Sequence, residues 1–134
     1  MISLNLNITP RPKGRPRFSN AGAFVRAYTD TKTRSYEKEL RKIIREQYDG
    51  DLLEDRAYYL KIIFNLKRPK SVPKSKRFHP IVKPDIDNLV KSVMDAMNGI
   101  VYKDDSIICE LSTSKKYTSE ESEGIIVTIH ELME

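Results

Sequence analysis

Apolar residues recur at every second position at the start of this chain: Ile2, Leu4, Leu6 and Ile8, with polar residues between them. That period predicts a half-buried strand over residues 2–8. Three prolines and a glycine within residues 9–17 then exclude helix and central strand. From Asp30 or Thr31, either of which is a suitable cap, Tyr36, Leu40, Ile43 and Ile44 recur at helical spacing to about Tyr48, and Asp49-Gly50 ends the helix. Alternation returns over residues 57–66, with Tyr58, Leu60, Ile62 and Phe64 as the better core face. Residues 67–84 form a loop with seven Lys/Arg and three prolines ahead of Pro84. A second helix is predicted from about Asp85 to Asn98, stopped by Asn98-Gly99. Residues 106–117 and 124–132 read as strands. The order β-α-β-α-β-β predicts an α/β (α+β) domain: a mixed sheet of about four strands with two main helices packed on it. Both helix-bearing connections suit crossovers between parallel strands, and the last two strands are expected to pair as a hairpin.

At 134 residues the chain has the size of one domain, 1–134. No apolar run approaches the length that spans a bilayer. The first residues alternate like a strand and lack the basic region and cleavage site of a secretory leader. Cys109 is alone, so neither an intrachain disulfide nor a cysteine zinc cage can form, and the cytoplasm is the expected compartment.

The formal net charge of +5 conceals an asymmetry. Residues 1–83 carry 20 Lys/Arg against 8 Asp/Glu, whereas residues 84–134 carry 4 against 11. Residues 1–29 and 56–84 contain no acid at all. Acid-free basic segments suit a polyanionic partner.

The acids concentrate where the second helix begins and just after it ends. On a helical projection, Ile86, Leu89, Val90, Val93, Met94 and Met97 fall within one apolar arc, while Asp87, Lys91 and Asp95 stack as a polar stripe at i, i+4. Asp85 sits at the cap position, and Asp104-Asp105 follows the helix end. Taken singly, these are ordinary features: a cap, a first-turn acid, an Asp–Lys pair, a turn. Five carboxylates between residues 85 and 105 repel one another unless something positive lies among them, and Lys91 supplies only one charge. Hard oxygen ligands gathered in this way suit Mg²⁺, with Mn²⁺ the other option. Beside a basic surface, they suggest a metal-dependent phosphodiester hydrolase. Other sites fit poorly. An EF-hand beginning at Asp85 would meet Val90 and Ala96 where Gly and Glu belong. Gly14-Arg15-Pro16 lacks the remaining residues of a P-loop. His130 alternates within a strand and reads as structural, whereas His79, in the basic loop just before the acidic motif, could touch a phosphate but has no assigned role.

The stretch from Lys83-Pro84-Asp85-Ile86-Asp87-Asn88-Leu89-Val90-Lys91 through Asp95-Ala96 to Tyr102-Lys103-Asp104-Asp105-Ser106 resembles the RusA family of Holliday junction resolvases. The motif is D-x-D-N-L-x-K, then D-A, then an aspartate pair before a strand. Lys13-Gly14-Arg15-Pro16-Arg17-Phe18 and Tyr28-Thr29-Asp30 resemble the phage-type branch of that family. The resemblance implies a homodimeric, Mg²⁺-dependent endonuclease that resolves four-way DNA junctions by paired nicks. Carried over residue by residue, it implies Asp85, Asp87, Lys91 and Asp105 as the active site, with Asp85, Asp87 and Asp105 holding metal.

The expected division of labour follows. Three carboxylates converge on a shared divalent ion, and the Lys91 ammonium stands beside it. Lys13, Arg15 and Arg17, with Lys67, Arg68, Lys70, Lys74, Lys76 and Arg77, contact the DNA backbone by charge and shape rather than by base. A two-fold junction needs two symmetric nicks, which a C2 dimer supplies. Two alternatives remain open on sequence: a non-catalytic junction- or duplex-binding protein, and a less selective nuclease for branched DNA on the same scaffold.

Overall fold

Along residues Tyr58–Lys67 every second side chain is buried and its neighbours are partly or wholly exposed, so this strand has one face for the core and one for water. The computed structural model describes the backbone of every residue except 15–16, 22–23, 29–30, 74–78 and 134, and the side chains of all but those and residues 17–21, 24–28 and 120. Along the described chain run β1 (Ile2–Leu6), β2 (Arg17–Ala21), β3 (Phe24–Tyr28), α1 (Thr31–Gln47), β4 (Tyr58–Lys67), α2 (Ile86–Met97), β5 (Ile108–Thr118) and β6 (Gly124–Glu131). Four strands form one mixed sheet in the order β1-β6-β4-β5, and β2 pairs with β3 as a separate antiparallel ribbon.

The α+β class and the element order agree with the sequence pattern; the pairing of the last two strands does not. β5 and β6 are not neighbours, because β4 lies between them, parallel to β5 and antiparallel to β6. The composition of the strands accounts for this. β6 carries Ile125, Val127 and Ile129 at full burial and needs a partner on each side. The Glu110 to Lys116 stretch of β5 is polar and tolerates an edge. β6 therefore enters between β1 and β4, and the expected hairpin is lost. Its first residue passes so close to β1 that a Cβ on Gly124 would stand 2.7 Å from the carbonyl oxygen of Leu6. The β2–β3 ribbon was not anticipated either; Phe18, Phe24, Val25 and Tyr28 around a central glycine are the sequence signal for it.

The core lies between the helices and one face of the sheet. Leu60, Ile62 and Phe64 of β4 pack with Leu89, Val93, Ala96 and Met97 of α2 and with Leu40 and Ile44 of α1. The apolar arc read from the sequence is the buried side of α2, with Ile86 and Met94 at its half-buried margins. Gly99, at φ +80°, turns the chain after α2, as the helix stop requires. Arg41 of α1 donates to the carbonyls of Ala96 and Asn98 at 3.0 and 2.7 Å, satisfying acceptors that the end of α2 leaves open. The Asp30 expected as a cap lies outside the described residues. The free edge of β1 is covered by a side chain: the Gln47 amide accepts from the Asn5 N–H at 2.8 Å and donates to the Asn5 carbonyl at 2.5 Å. Among the described residues, no helix is long and apolar enough to cross a membrane.

A single added methyl group tests the threading of β6. Gly124→Ala is expected to cost about 1–3 kcal/mol, the scale of an overpacked site, because the obstacle is backbone rather than a flexible side chain. Urea unfolding of the two proteins reads the difference.

Candidate active site

α2 presents its polar stripe outward because Leu89, Val90, Val93 and Met97 fix the opposite side in the core. Asp85 precedes the first helical residue with extended backbone (φ −71°, ψ 139°), yet its side chain makes no capping hydrogen bond. The capping role expected for this carboxylate is therefore absent, and the exposed acid is left available. Asp87, also exposed, uses one oxygen to accept from the Asn88 N–H at 2.9 Å. Both acids stand at the positive end of the helix, where the free N–H groups favour anionic oxygen. Beside them opens a cleft of about 440 Å³ lined by Pro12, Lys13, Lys83, Pro84, Asp85 and Asn88.

The stripe below the two acids is held by ion pairs. Asp95 Oδ2 lies 3.5 Å from Lys91 Nζ and 3.5 Å from Lys13 Nζ, and Lys13 Nζ lies 3.2 Å from Glu37 Oε2. The Lys13 N–H also donates to the Asn88 carbonyl at 3.0 Å. Lys13 thus fastens its segment to both helices, and its ammonium is engaged within the fold rather than offered to a phosphate. Just upstream, the Tyr36 hydroxyl donates to the Thr9 carbonyl at 2.8 Å and accepts from the Arg11 N–H at 3.2 Å. Burial pushes the pKa of this phenol up to about 12, so it stays a donor across the working pH range. The Lys91 side chain is 61% exposed, and its ammonium faces solvent beside Asp95. Asp95 is thus a residue the sequence placed in the stripe without giving it a task.

The later aspartate pair divides its roles. Asp104 caps the 3-10 turn Asp105–Ile107 by accepting from the Ser106 N–H at 3.1 Å. Hydrogen bonds from Ser106, first its hydroxyl and then its N–H, hold the Asp104 carboxyl below the usual carboxylate range. Asp105 is half-buried and makes no ion pair among the described residues. Near it Tyr102 is fully buried, with its hydroxyl donating to the Met94 carbonyl at 2.8 Å. Burial above all, then the charges of Asp105, Asp95 and Asp104, raises the pKa of that hydroxyl.

Asp105 therefore belongs to the C-terminal half of α2, not to its start. The helix from Ile86 to Met97 spans about 18 Å. The strand that follows Asp105 gives the same answer. Lys115 of β5 bonds to the carbonyls of Val82 and Pro84, just ahead of Asp85. From Ile108 to that position β5 advances about 23 Å. Within one chain, Asp105 thus lies on the order of 20 Å from Asp85 and Asp87. Among the described residues, no three Asp, Glu, His or Cys side chains are grouped to hold a metal ion. Within the chain, the convergence expected of the three carboxylates is not found among the described residues.

The basic residues are dispersed. Lys67 is exposed at the end of β4, and its N–H donates to Glu123 at 3.2 Å. The Arg68 guanidinium stands 5.0 Å from the centre of the Tyr117 ring and donates to the Pro73 carbonyl at 3.3 Å. Lys70 is exposed. Arg15, Lys74, Lys76 and Arg77, and the side chain of Arg17, lie outside the described residues. Arg11 and Lys32, which sequence reasoning did not single out, border a separate cleft of about 500 Å³ with Gly14, Thr31 and Tyr36. His130 is exposed on the open face of the sheet, its ring centre 4.8 Å from that of Tyr59.

Comparison with known proteins bears on this arrangement. The chain is 32% identical over 120 residues to the uncharacterized protein YqaN of Bacillus subtilis (strain 168), an alignment covering 83% of this chain and 84% of that one. The family described as endodeoxyribonuclease RusA matches residues 7–130, a span that takes in both aspartate pairs, Lys91 and the three sheet strands that follow β1. On that match, the chain belongs to the RusA endodeoxyribonuclease family.

Proposed function

We propose that this protein is a divalent-metal-dependent endonuclease that acts as a homodimer and resolves four-way DNA junctions by paired nicks. The observation that carries the reading is the state of Asp85: a carboxylate at the head of a helix, next to Asp87, with no capping bond to explain it. Mg²⁺ is commonly held by one or two carboxylates together with water and substrate phosphate oxygens, and an exposed Asp-x-Asp pair fits that donor set. Asp85 and Asp87 would hold the ion, with Asp105 as the third acid. Bound there, the ion supplies neutralisation of charge at the scissile phosphate and activation of water.

The chain's own residues do the rest. Lys91 lies one turn below Asp87, and Asp95 keeps its ammonium on that side of the helix, where it offsets negative charge on the phosphate or the leaving oxygen. Lys67, Arg68 and Lys70, with the basic residues flanking them, hold the DNA backbone. The separation of Asp105 from Asp85 and Asp87 supports the dimer. A third acid about 20 Å away joins the pair only if a second copy delivers it, and a two-fold pair of chains yields two equivalent sites, one for each nick.

Two outcomes test this. Asp87→Asn is expected to lower cleavage of a mobile four-way junction by about two to three orders of magnitude, the scale of losing one electrostatic catalytic group, while junction binding is retained. Mg²⁺ should be required for product, and the junction should be cut in preference to Y-forks, flaps and linear duplex; metal-independent binding without product would reject the enzyme. Mixing Asp85→Asn with Asp105→Asn protomers tests the shared site. If the acids come from two chains, half of the sites in each mixed dimer are wholly wild type and single nicks reappear. If all come from one chain, the mixture stays inactive.

A further inference from the structure

Asp85 is preceded by a segment with little to hold it. Residues 81–84 form neither helix nor strand, and Ile81 and Val82 are 71% and 57% exposed, so apolar burial does not fix their path. Pro84 has no N–H to donate. What does fix them comes from thirty residues further along the chain. The Lys115 ammonium donates to the Val82 carbonyl at 2.7 Å and to the Pro84 carbonyl at 2.9 Å. Both are short, charge-assisted bonds. Lys115 itself sits on β5 beside Phe64 of β4, and Phe64 is fully buried. The anchor is therefore rigid where it begins and reaches the two carbonyls flanking Lys83, immediately ahead of Asp85.

We propose that Lys115 is a positioning residue for the Asp85–Asp87 pair, a role that rests on the reading of that pair as the metal-holding acids. Its two bonds set the direction in which the chain enters α2, and hence where the uncapped Asp85 carboxylate points. Among the described residues its ammonium has no carboxylate in ion-pair range, so its charge stays uncompensated beside the segment that carries the two acids. A lysine has three donors and only two are accounted for by these carbonyls. Bonds made to a ligating side chain itself typically govern metal affinity by tenfold or more, and Lys115 acts one step further out, on the backbone that carries the ligand.

The experiment uses the full chain as Lys115→Met and Lys115→Arg beside wild type. Mn²⁺ binding is followed by loss of the free-ion electron paramagnetic resonance signal, and junction cleavage is followed as a function of Mg²⁺. For Lys115→Met we expect the Mn²⁺ dissociation constant and the Mg²⁺ concentration for half-maximal cleavage each to rise about tenfold. The rate at saturating Mg²⁺ and metal-free junction affinity should each stay within about threefold. Lys115→Arg, which keeps charge and donors, should recover part of the shift. An unchanged metal midpoint in a folded, cleaving Lys115→Met protein overturns the inference and leaves the proposed function intact. So does a lower maximal rate at an unchanged midpoint. Wild type that neither binds Mn²⁺ nor cleaves defeats the proposed function instead. If Lys115→Met does not unfold cooperatively, Lys115→Gln carries the same comparison; loss of folding in both would make the lysine a structural staple and reject the positioning role.

Discussion

The placement of α2 against β4 is the constraint on which the rest of the molecule depends. Leu60, Ile62 and Phe64 present a continuous apolar row, and Leu89, Val93, Ala96 and Met97 close over it. Burial of the larger of these side chains contributes roughly 1.5–3 kcal/mol each, so the helix has one preferred rotation about its axis. That rotation sends Asp87, Lys91 and Asp95 outward together. It also sets the length of the site, because the helix ties the acids at its head to the turn beyond its tail. Packing that is wholly apolar thereby fixes the positions of the charges.

Charge then organises what packing leaves undefined. Asp95 is shared by Lys13 and Lys91, and Glu37 takes a second side of Lys13. The arrangement joins the segment after β1 to α1 and α2 through partly buried groups, where ion pairs are screened less than on an open surface. It also keeps opposite charges interleaved along a helix face that must tolerate several acids. Lys115 does comparable work from the sheet, using backbone carbonyls as its partners. Between them, these contacts define the walls of the cleft beside Asp85 without using Asp85 itself.

Much of this could be read from the order of residues alone. The period-two row of β4 and the apolar arc of α2 have direct geometric consequences: the β4 row is buried as the period selects, and four of the six arc residues of α2 are buried, joined by the small Ser92 and Ala96. The D-x-D-N-L-x-K motif is local, so its placement at the head of α2 follows from helix periodicity alone. Strand order was not legible, because it depends on which strand most needs two neighbours. The apolar content of β6 outweighed its closeness in sequence to β5. Asp85 looked like a cap because residue type and position are all a sequence offers, and whether the carboxylate turns back to the helix is decided by the chain entering it. A separation of twenty positions between Asp85 and Asp105 says nothing of spatial distance, and here it includes a whole helix, so Asp105 is far from the acids it resembles in sequence. Lys115 carries no signal, since a lysine in a polar strand is what an exposed edge ordinarily contains.

The amide of Gln47 mimics one peptide unit of a strand that is not there, meeting both the N–H and the carbonyl of Asn5. The β1 margin of the sheet is thereby covered at Asn5, the next-to-last residue of the strand, by a side chain from α1. A sheet with one sealed margin cannot grow by repeated strand addition, because an endless stack needs two open ones. Lateral joining of two copies through the β5 margin of each would be self-limiting at two bodies.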